Sequence, residues 1–336
     1  MSIKKILISN FRCFGNLELV FSDSNNFVYG SNGSGKTSVL EALYFCSTGR
    51  SFKSSNKDLC IKNNESAFRI QLETLSNNKI CVSKGLKKPI SFEIDENKAT
   101  SIELFRTIPS TLLDNISFSM FAETPKYRRK IFDRCLIASD TSYNTEFFSF
   151  HRSLKQRNAA LKFKRLTNID MWSEIFINNG TLISEKRNVF FERTKNTFFE
   201  FTKNFSDKRI LKKINSLDII FKQGWPSHHS LKEALNSSRD IDQKKATTTL
   251  GPHKADIKFL INGSDIKYIL SRGEQKFMSI LWCLSMHRTL SDFYGVKPFL
   301  IIDDIHSELD DDFYNELVNF LPKTGNQLFF SDINNP

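Results

Sequence analysis

Short apolar runs bounded by polar turns predict a mixed α/β protein. Residues 299–302, Phe-Leu-Ile-Ile, are continuously apolar, which is typical of a strand buried on both faces of a parallel sheet. Residues 27–29 form a second short apolar strand. Segments 68–75, 79–83 and 90–95 alternate partly between apolar and polar residues and are separated by polar turns. They predict an antiparallel layer beside the parallel sheet.

Apolar residues at helical spacing predict three long helices. In the first helix, residues 36–46, four apolar residues share one face. They are Val39, Leu40, Leu43 and Tyr44. Residues 172–205 carry apolar residues mostly at helical steps, with charges between them, and residues 277–290 form a strongly apolar helix.

The order of these segments predicts two lobes. The chain has 336 residues, enough to bury a large core, and its basic helical segment interrupts the strand-rich segments. We expect residues 1–120 and 246–336 to build one α/β lobe and residues 121–245 to form an inserted helical lobe. Residues 256–261, followed by Asn-Gly, predict a β-hairpin arm.

Residues 30–37, GSNGSGKT, match the phosphate-binding loop G-x-x-x-x-G-K-[ST] between a predicted strand and a predicted helix. Glycines in such a loop let backbone N–H groups surround phosphate oxygens at a helix N-terminus. We expect Lys36 to reach the β- and γ-phosphates of ATP and Thr37 to offer its hydroxyl to Mg²⁺. The predicted ATP-binding residues of the loop are Gly30, Ser31, Asn32, Gly33, Ser34, Gly35, Lys36 and Thr37.

The apolar strand at residues 299–302 ends in two acidic residues, Asp303 and Asp304. We expect Asp303 to hold Mg²⁺, directly or through water, and Asp304 to orient or deprotonate the water that attacks the γ-phosphate. By itself the segment would be interpreted as a buried strand that ends in a solvated acidic turn. Its pairing with the phosphate-binding loop favours a catalytic set of Asp304, Asp303 and Lys36.

Residues 270–276, Leu-Ser-Arg-Gly-Glu-Gln-Lys, precede the third predicted helix and lie about thirty residues before the acidic strand. This segment resembles the signature of ABC ATPases. The resemblance implies that Ser271 and Gly273 contact the γ-phosphate of ATP held by a second protomer, so the site is complete only in a homodimer. Alone, residues 270–273 of this segment would be interpreted as an ordinary helix cap. Its position relative to the acidic strand favours the signature.

Four further segments resemble the RecF family, the SMC-like ATPases of bacterial recombinational repair. They are ILISNFRCFGNLEL, ETPKYRRKIFDRCL, LKQRNAALK and GPHKADIKFLING. Together with the nucleotide motifs they cover the chain from end to end, in the family's order and at compatible spacing. The resemblance implies an ABC/SMC-like ATPase head with a parallel core sheet, an antiparallel β layer and an inserted helical lobe.

The resemblance also implies a function in DNA repair. RecF-like proteins act with RecO and RecR at gap junctions of double- and single-stranded DNA, where they help load RecA onto strands coated with single-strand-binding protein. They also support DNA replication and SOS induction. For this chain the resemblance implies a weak, DNA-stimulated ATPase that dimerises when it binds ATP.

Departures from the family pattern concern ATP hydrolysis. Glu274 follows the signature glycine where the family tends toward Gln, and would bring a negative charge near the partner's γ-phosphate. Residues 48–53 keep a Gly-Arg-Ser element but replace the usual His-Arg after it. The last strand ends in Ser331-Asp332, where many ABC ATPases carry a switch histidine that the RecF family also tends to lack. We therefore expect slow hydrolysis, and the charge of Glu274 would oppose ATP-dependent dimerisation.

The distribution of charge favours a polyanionic partner. The formal net charge is +11, and between residues 121 and 215 twenty Lys and Arg stand against ten Asp and Glu. A basic lobe is expected to hold double- and single-stranded DNA through backbone contacts, with little sequence preference. The alternative interpretation is a set of solvated helix faces.

Other classes of site are not indicated. The six cysteines show no C-x-x-C spacing, which argues against zinc and fits a reducing cytoplasm. No run approaches the ~20 apolar residues of a membrane span, so no membrane partner is expected. His253, within GPHK, is expected to have a structural or DNA-facing role.

Three alternative functions stay open at this stage. One is an ABC-type transporter ATPase, against which the basic helical segment argues. Another is a DNA-binding scaffold with a vestigial ATP site, which Glu274 and the altered loop motivate. A nuclease is the least favoured, since no acidic cluster lies outside the ATP motifs.

Overall fold

The computed structural model describes residues 2–31, 33–164, 169–206 and 208–332. Its strands are β1 (Ile3–Phe11), β2 (Phe14–Val20), β3 (Asn25–Tyr29), β4 (Ala67–Thr74), β5 (Lys79–Gly85), β6 (Ile90–Ile94), β7 (Asn97–Lys98), β8 (Ser110–Leu113), β9 (Leu217–Lys222), β10 (Asp256–Ile261), β11 (Ser264–Asp265), β12 (Phe299–Asp303) and β13 (Leu328–Asp332). Its helices are α1 (Lys36–Thr48), α2 (Ser101–Thr107), α3 (Asn115–Phe118), α4 (Pro125–Ser139), α5 (Thr141–Lys162), α6 (Ile169–Thr202), α7 (Lys208–Ile214), α8 (Leu231–Ser237), α9 (Arg239–Lys245), α10 (Ile266–Ile269), α11 (Arg272–Tyr294) and α12 (Asp311–Phe320). Short 3₁₀ helices occupy Lys57–Cys60, Pro252–Lys254 and Leu321–Thr324.

Two sheets build the first compact unit, which comprises Met1–Ser119 and Arg272–Pro336. The antiparallel sheet has the strand order β2-β1-β4-β5-β6-β7, and the parallel sheet has the order β3-β13-β12-β8. The predicted antiparallel segments are therefore confirmed as β4, β5 and β6. The continuously apolar run is confirmed as β12, which lies between two parallel partners and is buried from Phe299 to Ile302.

Helix α1 packs between the two sheets and contacts strands of both. Its residues from Val39 to Thr48 are all buried, including those opposite the predicted apolar face. The prediction of a single apolar face was therefore too narrow, because a helix enclosed by two layers has no solvent-facing side. The residues of α1 join those of the antiparallel sheet, β12 and β13 in one hydrophobic core.

A buried carboxylate anchors α1 to the rest of the unit. Glu41 is fully buried and receives two hydrogen bonds from Arg12, from Nε at 2.8 Å and from Nη2 at 2.6 Å. Ser51 also donates its hydroxyl to Glu41. The Asn-Phe-Arg and Gly-Arg-Ser elements that carried the family resemblance thus supply the partners that a buried carboxylate requires.

The second compact unit, Met120–Ser271, contains helices α4 to α10 and an antiparallel sheet of order β11-β10-β9. The predicted hairpin is confirmed as β10 and β11. The helical lobe was predicted to end at residue 245, but the second unit continues to Ser271. Residues 246–271 belong to it because β10 pairs with β9 along its whole length. In addition, Asp256 of β10 accepts two hydrogen bonds from Arg128 of α4.

Buried arginines connect the helices of the second unit to the segment before β10. Arg157 of α5 donates to Asp242 at 2.8 Å and to Thr248 at 2.6 Å. Arg187 of α6 binds both carboxylate oxygens of Asp133 and the carbonyl oxygen of Pro252. Both side chains are only 3% exposed. They stabilise the fold, and they do not contribute to the basic surface that the charge count suggested.

The histidine of the GPHK segment has a structural environment. His253 Nε2 lies 3.0 Å from the carbonyl oxygen of Thr248, to which it donates, and its ring packs edge-on against Phe176. Burial lowers the pKa of His253 to about 4, so the ring is neutral at physiological pH. His253 was expected to have either a structural or a DNA-facing role, and these contacts support the structural role.

A second buried histidine, His287 of α11, joins three elements of the first unit. Its Nε2 accepts a hydrogen bond from the side-chain amide of Asn326 at 2.8 Å, so its Nδ1 carries the proton and donates to Thr111 Oγ1 at 2.8 Å. The side chain is fully buried, and this burial lowers the pKa of His287 to about 3.

We expect acid to destabilise the first unit through His287. The folded pKa lies below the unfolded value, so the unfolded chain takes up the proton first as the pH falls below about 6.5. Between pH 6.5 and 5 this residue should cost up to about 1.4 kcal/mol of stability per pH unit. Urea titrations at pH 7 and pH 5, followed by hydrogen exchange in α11, measure the loss. His287→Gln should reduce it, whereas His306→Gln, at an exposed histidine, should leave it unchanged.

We expect Arg157→Met to destabilise the second unit by about 3–5 kcal/mol, because it leaves the buried carboxylate of Asp242 without its cation. Arg152→Met, at an exposed arginine on the same helix, is the matched control and should change stability by less than about 0.5 kcal/mol. Hydrogen exchange of α5 and α9 peptides in a urea series compares the two variants. Equal stabilities would show that the buried pair does not hold these helices together.

Candidate nucleotide site

The loop between β3 and α1 has the backbone conformation of a phosphate cradle. Gly30, Gly33 and Gly35 have positive φ angles of 156°, 82° and 99°. A side chain on Gly35 would place its Cβ 2.5 Å from a ring atom of Phe14 and 2.9 Å from Cys13 Sγ, so only glycine fits there. Helix α1 begins at the next residue, and its first N–H groups point toward the loop. The predicted Asn32 lies outside the described residues.

Lys36, the first residue of α1, folds back over the loop. Its Nζ donates to the carbonyl oxygen of Gly30 and to that of Ser31, the latter at 3.1 Å. The ammonium group therefore lies above the cradle, where it adds a positive charge to that of the helix N-terminus. An anion bound by the loop would contact both the ammonium group of Lys36 and the N-terminus of α1.

The parallel sheet brings the acidic strand to the loop. β13 lies between β3 and β12, and Ser331 is paired with Val28 on one side and with Asp303 on the other. The carboxylate of Asp303 accepts a hydrogen bond from Ser331 Oγ at 2.8 Å, and the side chain of Thr37 lies close to it. Burial raises the pKa of Asp303, and the hydroxyl groups of Ser331 and Thr37 oppose the rise because they favour the charged carboxylate.

Thr37 and Asp303 together form an oxygen donor set. A hydroxyl and a carboxylate are the hard ligands that Mg²⁺ prefers, with water and phosphate oxygens completing its shell. The Thr37 hydroxyl lies close enough to oppose the rise in the pKa of Asp303, so the two side chains approach a common point. The residues present therefore fit a magnesium ion.

Asp304 has a different environment from Asp303. It is exposed, and its backbone adopts the left-handed conformation with φ 54°, which is uncommon for a residue other than glycine. Its N–H donates to Ser331 Oγ at 3.1 Å. The turn directs the chain away from β12 while Asp304 borders the cavity.

A cavity of about 270 Å³ opens beside the loop. Its walls are Ser31 and residues 33–38 of the loop, together with Cys13, Lys53, Asp304 and Ser331. Four of these residues, Cys13, Ser38, Lys53 and Ser331, were absent from the predicted site, and Ser38 directly follows the predicted loop. The only sequence signal for Lys53 was that the chain departs from the family pattern there, and the only signal for Ser331 was that many ABC ATPases carry a histidine at the end of this strand. Nothing in the sequence marked Cys13.

The signature segment lies at the start of α11. Ser271 is the last residue of the second unit, and Arg272 begins the helix. Both are exposed, and a Cβ added to Gly273 would meet no atom within 4 Å. Lys276, one turn further along, forms an ion pair with Glu308 in the segment after β12. Within the part of the chain that the structure describes, no close contact therefore requires a glycine at residue 273.

Glu274 is oriented differently from the expectation. It is 8% exposed, whereas Ser271 and Arg272 are exposed. A buried carboxylate does not present its charge at the surface of the helix start. The side chain that does so is Arg272, which favours an anionic partner. The expectation that Glu274 repels a partner's phosphate thus loses its basis.

Several other site classes lack support in the part of the chain that the structure describes. No group of three or more His, Cys, Asp or Glu side chains there is arranged to hold a metal ion. The six cysteines are free thiols. Among the described helices, none combines the length and the apolar character that crossing a bilayer requires.

Comparison with known proteins covers almost the whole chain. The family described as the RecF/RecN/SMC N terminal domain matches residues 2–335. The DNA replication and repair protein RecF of Pseudoalteromonas translucida (strain TAC 125) is 32% identical over 343 residues, covering 99% of this chain and 92% of that protein. Its counterpart from Francisella tularensis subsp. novicida (strain U112) is 31% identical, with 98% and 94% covered.

Solved structures agree with these relatives. A structure of the recombination mediator protein RecF with ATP, in the RecFOR pathway, superposes with a TM-score of 0.83 at 26% identity, covering 99% of this chain and 92% of that one. An Smc head bound to the C-winged helix domain of ScpA shares the fold at a TM-score of 0.57 and 14% identity, with 100% and 90% covered. The fold is therefore that of an ABC/SMC-like ATPase head, and the chain belongs to the RecF family.

Proposed function

We propose that the chain is an ATP-dependent DNA-binding protein of recombination and repair that dimerises when it binds ATP. The observation that carries the proposal is the pairing of β13 with both β3 and β12, which brings the phosphate-binding loop and the acidic strand together beside an open cavity. RecF relatives have been solved with ATP and with ATPγS, the latter superposing with a TM-score of 0.81. Their likeness over nearly the whole chain supports ATP as the ligand.

The residues of the loop bind and orient the triphosphate. Backbone N–H groups of residues 33–37 and the ammonium of Lys36 hold the β- and γ-phosphates. Thr37 and Asp303 would hold Mg²⁺, which neutralises phosphate charge during transfer. Asp304, exposed at the edge of the cavity, orients the attacking water, and Lys53 adds a second positive charge there. No histidine stands at the end of β13, so we expect turnover to be slow.

The signature supplies the contact between protomers. Ser271 and Arg272 are exposed, and Gly273 leaves the start of α11 open to close approach. A glycine in a helix interior costs about 1 kcal/mol relative to alanine, and no close approach among the described residues requires one at residue 273. The compensation comes from a partner's γ-phosphate placed at this helix N-terminus. Closure then depends on ATP, and hydrolysis removes the contact.

The partner in the cell is DNA at gaps, bound as double and single strands. The basic excess of the helical unit supports backbone contacts without sequence preference. The RecFOR pathway named for a structural relative supports RecO and RecR as partners, with RecA loading onto coated single strands as the outcome. The proposal also includes functions in DNA replication and SOS induction. It places the protein in the cytoplasm.

We expect ATP and Mg²⁺ to convert the monomer to a dimer, and gapped duplex DNA to increase the dimer fraction. Sedimentation velocity with and without each component measures this. Lys36→Met should abolish the ATP effect, since it removes the loop's cation. Lys98→Met, at an exposed lysine of the same unit, is the matched control and should dimerise normally.

A chain that binds DNA but stays monomeric with ATP would favour the alternative of a scaffold with a vestigial ATP site. Failure to bind duplex DNA at 50 mM salt would contradict the DNA-binding proposal. Binding that weakens steeply between about 50 and 200 mM salt would support it, because released counterions drive backbone recognition.

We expect Gly273→Val to prevent dimerisation without unfolding the chain. The Cβ of the added side chain would meet no described atom of its own protomer within 4 Å, whereas the side chain would occupy the space of the partner's phosphate. Binding of a fluorescent ATP analogue to the monomer should change by less than about twofold, while the dimer disappears in sedimentation. Normal ATP-dependent dimerisation of this variant would show that the signature does not meet the partner.

A further inference from the structure

Ser331 lies at the centre of the nucleotide site, although no motif includes it. It is the fourth residue of β13, is 3% exposed, and lies beside Asp303 in the register of the parallel sheet. Because β13 also pairs with β3, Ser331 lies between the strand that enters the phosphate loop and the strand that ends in the acidic pair.

One hydroxyl group makes two hydrogen bonds of opposite sense. Ser331 Oγ donates to Asp303 Oδ1 at 2.8 Å and accepts from the N–H of Asp304 at 3.1 Å. It therefore fixes the side chain of the first acid and the backbone of the second. The second bond supports the left-handed conformation of Asp304, which is uncommon for residues other than glycine, although aspartate adopts it more readily than most.

The hydrogen bond from Ser331 differs in role from the approach of Thr37 to Asp303. Thr37 belongs to the magnesium donor set, so its hydroxyl would face the cation when one is bound. Ser331 has no such competing task, and its bond to Oδ1 leaves the other carboxylate oxygen free to face the cation. Asp303 thus keeps one fixed hydrogen bond in both states.

We propose that Ser331 is a positioning residue of the nucleotide site, which holds Asp303 toward the cation and Asp304 toward the water through a single hydroxyl. The role rests on the proposed function as an ATPase. It requires a hydroxyl at this position, and either serine or threonine satisfies it. It does not require Ser331 to contact the nucleotide.

The test compares Ser331→Ala, Ser331→Thr and a matched control, Ser110→Ala. Ser110 is a buried serine of the same parallel sheet, and its Oγ makes no hydrogen bond among the described residues. Two properties are measured for each variant: the Mg²⁺ concentration that half-saturates the Mg²⁺-dependent binding of a fluorescent ATP analogue, and single-turnover hydrolysis. Analogue binding without Mg²⁺ serves as the measure of an intact phosphate loop.

Ser331→Ala should raise the half-saturating Mg²⁺ concentration and lower the single-turnover rate, each by roughly tenfold, the effect of one lost hydrogen bond to a charged group. KM for ATP and binding without Mg²⁺ should change by less than about twofold. Ser331→Thr should restore both properties, and Ser110→Ala should match the unaltered chain.

The role would be overturned if Ser331→Ala matched Ser110→Ala in Mg²⁺ dependence and rate. It would also be overturned if Ser331→Ala lowered only the melting temperature, which would mark a structural residue. If the unaltered chain bound no ATP analogue, with or without Mg²⁺, the proposed function itself would be wrong. The role of Ser331 would then be wrong as well, because it rests on that function.

Discussion

The nucleotide site depends on one constraint, the position of β13 between β3 and β12 in the parallel sheet. Neighbouring strands lie about 4.8 Å apart, so the ends of β3 and β12 are separated by the width of one intervening strand. A loop and a carboxylate at that separation need a group between them. Ser331 provides it, because its hydroxyl donates to Asp303 from the intervening strand, and the hydroxyl of Thr37 lies close to the same carboxylate. The order of three strands thus produces the donor set.

The same loop depends on how α1 is held. A helix enclosed by two sheets gains its stability from burial, but Glu41 within it is a carboxylate that is expensive to bury alone. Arg12 and Ser51 satisfy it from segments on either side of the helix in sequence. The segment that contains Ser51 continues to Lys53, which borders the cavity. The pairing that stabilises the fold therefore also positions a cation at the site.

Much of the fold and of the site was predictable because the information is local. The phosphate loop, β12 and the signature are each encoded within a dozen residues, and each element was found where its pattern predicted it. Long-range pairing was not predictable in this way. The assignment of residues 246–271 to the second unit follows from the contact of Arg128 with Asp256, and Ser331 acquires its role only through β13's neighbours. The burial of Glu274 likewise depends on packing that no short pattern records.

The buried ion pairs also change the interpretation of the basic lobe. Arg128, Arg157 and Arg187 are withdrawn from the surface, but only one of their partners, Asp133, comes from the same basic segment. The segment therefore keeps an excess of basic residues, supplied largely by lysines. Exposed examples on α4 and α5 are Lys126, Lys130, Lys155 and Lys162. Lysines act as mobile point charges, whereas arginines form rigid two-pronged contacts with base edges. A surface of this composition suits the DNA backbone, so affinity for DNA would depend on salt more than on sequence.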